Sequence, residues 1–256
     1  MSGKQKVAAV RCAGYDQALI GKKLDLLMTA IGADTLIQPG MSVLIKPNLL
    51  SAKTPEEFTT THPEVLRAVI RYVHRQGGSV TLAEKTGLRV LAQEEGCRLN
   101  ENLGSVDSGL RAGSEPVPVL ECVAQADLII DCCKFKSHSY TVTSGAVKNM
   151  FGVIPGLVKA QMHARFPQRE SFCRFLCQCC AHVKPQLCVM DAVEGMQGNG
   201  PSGGDRYDGQ RLLAALDPFV LDYGTLNLLG IDPNQTPVHQ EAVKLGLVNP
   251  EAIERI

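Results

Sequence analysis

Two short runs limit the fold more than anything else in the chain. Residues 127–132 form a nearly continuous apolar run, and residues 186–190 form another that ends at Asp191. Such runs suit strands buried on both faces, as in a parallel sheet covered by helices on either side. The chain must then supply strand–helix–strand units with right-handed crossovers. It does. Residues 6–12 alternate and are rich in β-formers, so they read as a strand. Leu19, Ile20, Leu24, Leu27, Met28 and Ile31 sit at helical spacing within 17–31, and 42–45 is a short strand after the Pro39-Gly40 turn. In Thr61-His-Pro-Glu64, Thr61 can cap a helix, Pro63 falls in its first turn, and Glu64 completes a capping box. That helix stops at Gly77-Gly78, ahead of a strand over 79–83. Further on, helices are predicted over 168–182, 218–229 and 237–245, and a strand over 212–216. The expected fold is α/β, a mostly parallel sheet with helices on both faces in three layers, forming one domain over 1–256.

Charge narrows the partners. Lys and Arg number 26, matched by 26 Asp and Glu, so the formal net charge is zero and there is no broad footprint for nucleic acid or a membrane surface. Aromatic residues make up 5% with no Trp, which argues against stacking platforms for bases or sugars. No signal-length apolar stretch precedes Arg11, and no run approaches the roughly 18 apolar residues of a spanning helix, so a cytoplasmic location is expected. The ten cysteines then read as reduced thiols. Cys173, Cys177, Cys179 and Cys180, with Cys188 beyond, follow neither zinc nor ferredoxin spacing, and Cys173, Cys177 and Cys180 share one helix face like a core stripe. His74, His163, His182 and His239 lack metal-ligand spacing and read as surface or core residues.

In open parallel sheets, ligands gather at the carboxyl ends of strands. Polar motifs fall at four such ends: Lys46-Pro-Asn48, Lys134-Phe-Lys-Ser-His138, the stretch from Asp191 to Gly204, and Asp217. The densest segment runs from Lys134 to Gly156. Lys134, Lys136, His138 and Lys148 supply cationic donors, Gly145 allows close backbone approach, and a helix starting near Thr143 would aim its N–H groups at an anion. A surface loop with solvated lysines is the plain alternative. Asn199-Gly-Pro-Ser-Gly-Gly-Asp205 reads either as a phosphate-cradling nest or as a flexible loop, and it matches neither the Walker nor the dinucleotide pattern. Among the carboxylates, Asp217-Pro218 reads as a helix cap with its N1 proline, whereas Asp222 is out of place in a mostly apolar helix.

Several blocks together resemble the bacterial and archaeal domain of unknown function 362. They are Val43-Leu-Ile-Lys-Pro-Asn48, Thr60-Thr-His-Pro-Glu-Val65, Ala126-Asp-Leu-Ile-Ile130, Lys134-Phe-Lys-Ser-His138, Gly145-Ala-Val-Lys-Asn-Met-Phe-Gly152, Pro155-Gly156, Asp191-Ala-Val-Glu-Gly-Met-Gln-Gly-Asn-Gly-Pro201 and Asp217-Pro218. The resemblance spans nearly the whole chain and implies no particular reaction. It does imply a redox setting, because many members carry a following ferredoxin-like module with two four-cysteine motifs that hold [4Fe-4S] clusters. No such motif occurs here, so the chain reads as truncated before that module or as a member without it. Members usually have an Asp-Ser-Pro-type turn after the third strand, where this chain has Ala83-Glu-Lys-Thr86.

The expected activity is the binding of an anionic small molecule, with a divalent metal as a candidate cofactor. Lys46, Lys134, Lys136, His138 and Lys148 would hold the anion, with Asn48, Asn149 and Asn199 orienting it. Thr61, His62, Gly145, Gly152 and Gly200 would complete the binding set. Lys148, His138 and Asp191 are the candidate catalytic groups, and Asp191 and Asp222 the candidate metal ligands. The alternative is a non-catalytic module that docks an iron–sulfur domain or another protein. Convergence of His62, His138, Lys148 and Asn199 in one cleft would favour the ligand, and dispersal over a flat face the module.

Overall fold

The computed structural model describes residues 5–49, 53–84 and 87–256, so Lys85 and Thr86 of the atypical turn lie outside the described residues. Ten strands form one sheet: β1 (Gln5–Arg11), β2 (Ser42–Pro47), β3 (Ser79–Leu82), β4 (Arg98–Leu99), β5 (Leu128–His138), β6 (Val142–Ser144), β7 (Leu187–Gln197), β8 (Asp205–Tyr207), β9 (Arg211–Ala215) and β10 (Ile253–Arg255). Their order is β10-β1-β9-β7-β5-β2-β3-β4, with β6 paired to β5 and β8 to β7. From β4 to β7 every neighbour is parallel, while β9 runs antiparallel to both β7 and β1. The helices that pack the sheet and frame the site are α1 (Gln17–Ile31), α2 (Pro63–Arg75), α3 (Ala146–Asn149), α4 (Gly156–Arg165), α5 (Arg169–Val183), α6 (Pro218–Leu228) and α7 (Pro237–Lys244), and two short helices lie at Arg89–Glu94 and Glu121–Ala124.

Successive strand side chains point to opposite faces, and this alternation builds two cores. Leu128, Ile130 and Cys132 of β5 pack with α1 and α2, whereas Ile129, Cys133 and Phe135 pack with α5, α6 and α7. The arrangement is three-layered, helix over sheet over helix. Cys173, Cys177, Cys179 and Cys180 are buried in the second core as free thiols.

Several local expectations shift. The strand expected over 127–132 continues as β5 to His138, so the lysine-rich stretch is strand and not loop. Its backbone is satisfied there, because Lys136 to His138 pair antiparallel with β6. Thr143 and Ser144 belong to β6, and the helix expected near Thr143 starts at Ala146. Thr61 does not cap α2. His62 does, its Nδ1 accepting the Glu64 N–H at 3.2 Å. The Thr61 hydroxyl instead donates to the Cys132 carbonyl at 2.6 Å and accepts the Asn48 N–H at 2.9 Å, joining the end of β2 to the middle of β5. Asp217 caps α6 as expected, accepting from the Phe219 and Val220 N–H groups.

Candidate functional site

A cleft of about 270 Å³ opens at the carboxyl ends of β2 and β5. β2 and the residue after it supply Lys46 and Asn48, β5 supplies Lys136 and His138, and α3 supplies Lys148 and Asn149. Gly152 forms part of the wall, α4 adds Lys159 and His163, and Pro201 closes one side. Four lysines thus meet in one concavity.

Each lysine is held differently. Lys46, almost fully buried, donates to the Pro47 carbonyl at 2.7 Å and pairs with Glu84 at 3.1 Å. Lys136, also buried, donates to the Thr59 carbonyl at 2.9 Å. Burial, then the charges of Lys148, Lys134 and Lys46, push its amine down to about 7. Half-buried Lys148 has no ion-pair or hydrogen-bond partner among the described residues, and burial pushes its amine down to about 8. Burial likewise lowers Lys159 and His163, with Lys46 acting further on the first and Lys148 on the second.

His138 is fixed in one tautomer. Its Nδ1 accepts the Tyr140 N–H at 3.1 Å and the Thr141 N–H at 3.3 Å, so the proton of the neutral ring sits on Nε2. Burial, reinforced by the charges of Lys148 and Lys136, pushes the ring down to about 3 and keeps it neutral.

Lys134, Asp191 and His62 form a separate cluster outside the cleft lining. Asp191 is fully buried and accepts four hydrogen bonds: from Lys134 Nζ at 2.8 Å, the Tyr15 hydroxyl at 2.9 Å, His62 N at 3.0 Å and Val193 N at 3.3 Å. That fills the lone pairs of a carboxylate. Its work is to neutralise Lys134. The Tyr15 ring stacks on His62 at 3.6 Å between centroids, and burial followed by the Asp191 charge drives the Tyr15 phenol well above its ordinary value.

Asp222 is also held inside the fold. Its carboxylate accepts the Ala146 N–H at 2.7 Å and the Val147 N–H at 3.0 Å. The anion expected at that helix start is therefore internal. Gly145 serves it by leaving space, because a Cβ there would run into the Asp222 carboxylate. Burial pushes Asp222 up to about 7, against the pull of those two N–H groups. Gly152 plays a similar part for Lys46, whose Cε would lie 2.8 Å from an added Cβ. Asn149 donates to the Lys46 carbonyl at 3.1 Å and to Asp131 Oδ1 at 2.7 Å. Asn199 is exposed, while Gly200 packs against Ser137 and accepts the Ser139 N–H at 3.2 Å through its carbonyl. Among the described residues, no group of three or more His, Cys, Asp or Glu side chains is placed to hold a metal ion.

The sequence expectations missed Glu84, Asp131, Lys159, His163 and Tyr15. Asp131 hides within an apolar run, and its buried carboxyl is pushed well above the ordinary range by burial. Lys159 and His163 carried a usable signal, being four residues apart on one face of α4.

Residues 43–227 match the domain of unknown function DUF362. The chain belongs to this family. Every residue named above as lining the cleft lies inside the matched DUF362 span. The chain is 30% identical over 271 residues to the thylakoid-associated protein sll1697 of Synechocystis sp. (strain ATCC 27184 / PCC 6803 / Kazusa), covering 98% of this chain and 82% of that protein. Among solved structures, the lactate racemase apoprotein from Thermoanaerobacterium thermosaccharolyticum is similar at a TM-score of 0.45 and 12% identity, over 74% of this chain and 50% of that one. This DUF362 chain thus spans half the length of the racemase chain. No helix among its described residues is long and apolar enough to cross a membrane.

Proposed function

We propose that this chain binds an anionic small molecule, bearing a phosphate or carboxylate group, in the four-lysine cleft. The observation that carries the reading is the charge imbalance. Lys46, Lys136, Lys148 and Lys159 line one concavity, and the only carboxylate paired with any of them among the described residues is Glu84 on Lys46. Burying ammonium groups beside one another is costly, and the lowered amines at Lys136 and Lys148 are its signature. An anion between them removes the repulsion and restores their protons. The donors suit an anion better than a bare metal ion, so a divalent metal would enter accompanied by its anionic ligand. His138 and Lys148 meet in a concave site rather than on a flat face, which favours a small molecule over a docked domain, although His62 and Asn199 lie outside the lining.

Calorimetric titration with inorganic phosphate tests this. Charge-assisted contacts contribute roughly 1.5–3 kcal/mol each, so Lys136→Met and Lys148→Met should each weaken binding about tenfold or more. Wild-type affinity in both variants would remove the site.

A further inference from the structure

We propose that the cleft acts on carbonyl compounds that carry an anionic group, with Lys148 forming a Schiff base to the carbonyl carbon. This rests on the anion-binding reading and extends it from binding to a reaction class. Lys148 and Lys159 are the two cleft lysines without a partner among the described residues, and of these Lys148 is the one whose charge bears on both His138 and His163. Lys46 is committed to Glu84 and the Pro47 carbonyl, and Lys136 to the Thr59 carbonyl, whereas the Lys148 amine opens on the cleft without a partner among the described residues. Cationic neighbours and partial burial are the conditions that leave a lysine partly unprotonated near neutrality and therefore nucleophilic. At about 8, a useful fraction of Lys148 is free amine at pH 7.5.

The remaining parts of such a reaction stand in the same cleft. The Tyr140 and Thr141 N–H groups occupy Nδ1 of His138, which leaves a neutral Nε2–H as a donor for a carbonyl oxygen. Lys136, His138 and Lys148 line the same cleft, and the charges of both lysines bear on the ring. Lys159, with no partner among the described residues, remains for the anionic group. In the step, the Lys148 lone pair bonds to the carbonyl carbon and the C=O π pair moves to oxygen, where the His138 Nε2–H receives it. A proton passes from the new N–C centre to that oxygen, giving a carbinolamine. The Lys136 ammonium then protonates the hydroxyl, the C–O bond breaks, and water leaves. The products are a protonated imine on Lys148, neutral Lys136 and one water, with no change of oxidation state.

Borohydride trapping tests the step. The full chain is incubated with pyridoxal 5′-phosphate, a phosphate-bearing aldehyde, or with pyruvate, a carboxylate-bearing ketone. Sodium borohydride is added and the reduced adducts are mapped by peptide mass spectrometry. The expected result is an adduct on Lys148, formed at least about tenfold faster than on exposed lysines because of its larger free-amine fraction. It should be blocked by excess inorganic phosphate and absent from Lys148→Arg, with a native circular dichroism spectrum and thermal melt confirming that the variant folds. If wild-type protein binds phosphate but labelling is spread over surface lysines or persists in Lys148→Arg, the Schiff-base proposal falls and the anion site stands. Failure of the wild type to bind phosphate would remove both.

Discussion

The lysines at the ends of β2 and β5 do two kinds of work, and neighbouring charges decide which. Lys134 is buried against Asp191 with Tyr15 as a third partner, so its charge is spent within the fold. Replacing one member of a buried pair leaves the other charge uncompensated, at a cost of about 3–5 kcal/mol. Lys134→Met should therefore lower urea-unfolding stability by about that amount. A loss below about 1 kcal/mol would show that the pair is solvated. Lys148 should behave in the opposite way. Its folded value of about 8 lies below the ordinary 10.5, so over pH 7 to 8.5 the unfolded chain holds more protons than the folded one. Stability of the ligand-free protein then rises with pH through this group, and Lys148→Met should flatten that rise. Sulfate, whose charge is constant in this range, should bind more weakly as pH rises from 6.5 to 9, because Lys136 and Lys148 lose their protons. Flat stability differences and pH-independent sulfate binding would place both amines in solvent.

At the scale of elements, α3 spans only Ala146–Asn149, too short to be stable alone, yet it carries Lys148 and Asn149 to the cleft. Asp222 of α6 pins its start through two N–H groups, and Asn149 ties its end to β2 and to Asp131 of β5. In Asp222→Asn, the amide NH2 would confront one of those donors. A cost of about 1–3 kcal/mol is expected, with weaker phosphate binding because Lys148 is no longer held in place. Thermal melts and titration check both; undiminished affinity in a destabilised variant would show that α3 is positioned otherwise. This element also marks how far the sequence was legible. The α1 bounds, the Asp217 cap and the doubly buried strands follow from local periodicity and capping chemistry, and the structure has them. Lys134 to His138 reads locally as loop because its polar side chains need partners that the neighbouring sequence does not supply. Their partners are distant in sequence, Asp191 for Lys134 and Thr59 for Lys136. The anion awaited at the α3 start was likewise Asp222, on a helix about 75 residues further on. Local pattern shows that a polar group needs a partner, and only tertiary structure shows which partner it has.

Across the whole molecule, the sheet holds two cores apart, and the cysteines report on both. Cys12 and Cys132 lie in the core under α1 and α2, while Cys133, Cys173, Cys177, Cys179, Cys180 and Cys188 lie in the core under α5, α6 and α7. Cys97 and Cys122 are half-buried, and all ten are free thiols. Burial raises each of these thiols above its ordinary value, with nearby carboxylates adding to the effect at Cys132 and Cys133, and for the eight buried ones reaction with a thiol reagent requires opening of the fold. Strands β2, β5 and β7 contribute alternate side chains to both cores, and neither face can separate without exposing the other. Unfolding should therefore be cooperative across the sheet. With an aromatic disulfide reagent at pH 8, the native protein should release two equivalents, from Cys97 and Cys122. The other eight should appear together at the urea midpoint seen by circular dichroism. Mapping the labelled cysteines at sub-denaturing urea is the decisive measurement. Labelling of Cys173, Cys177 and Cys180 ahead of Cys12 and Cys132 would mean that the α5–α7 layer, which carries the Asp222 pin behind the cleft, opens on its own while the α1–α2 layer stays closed.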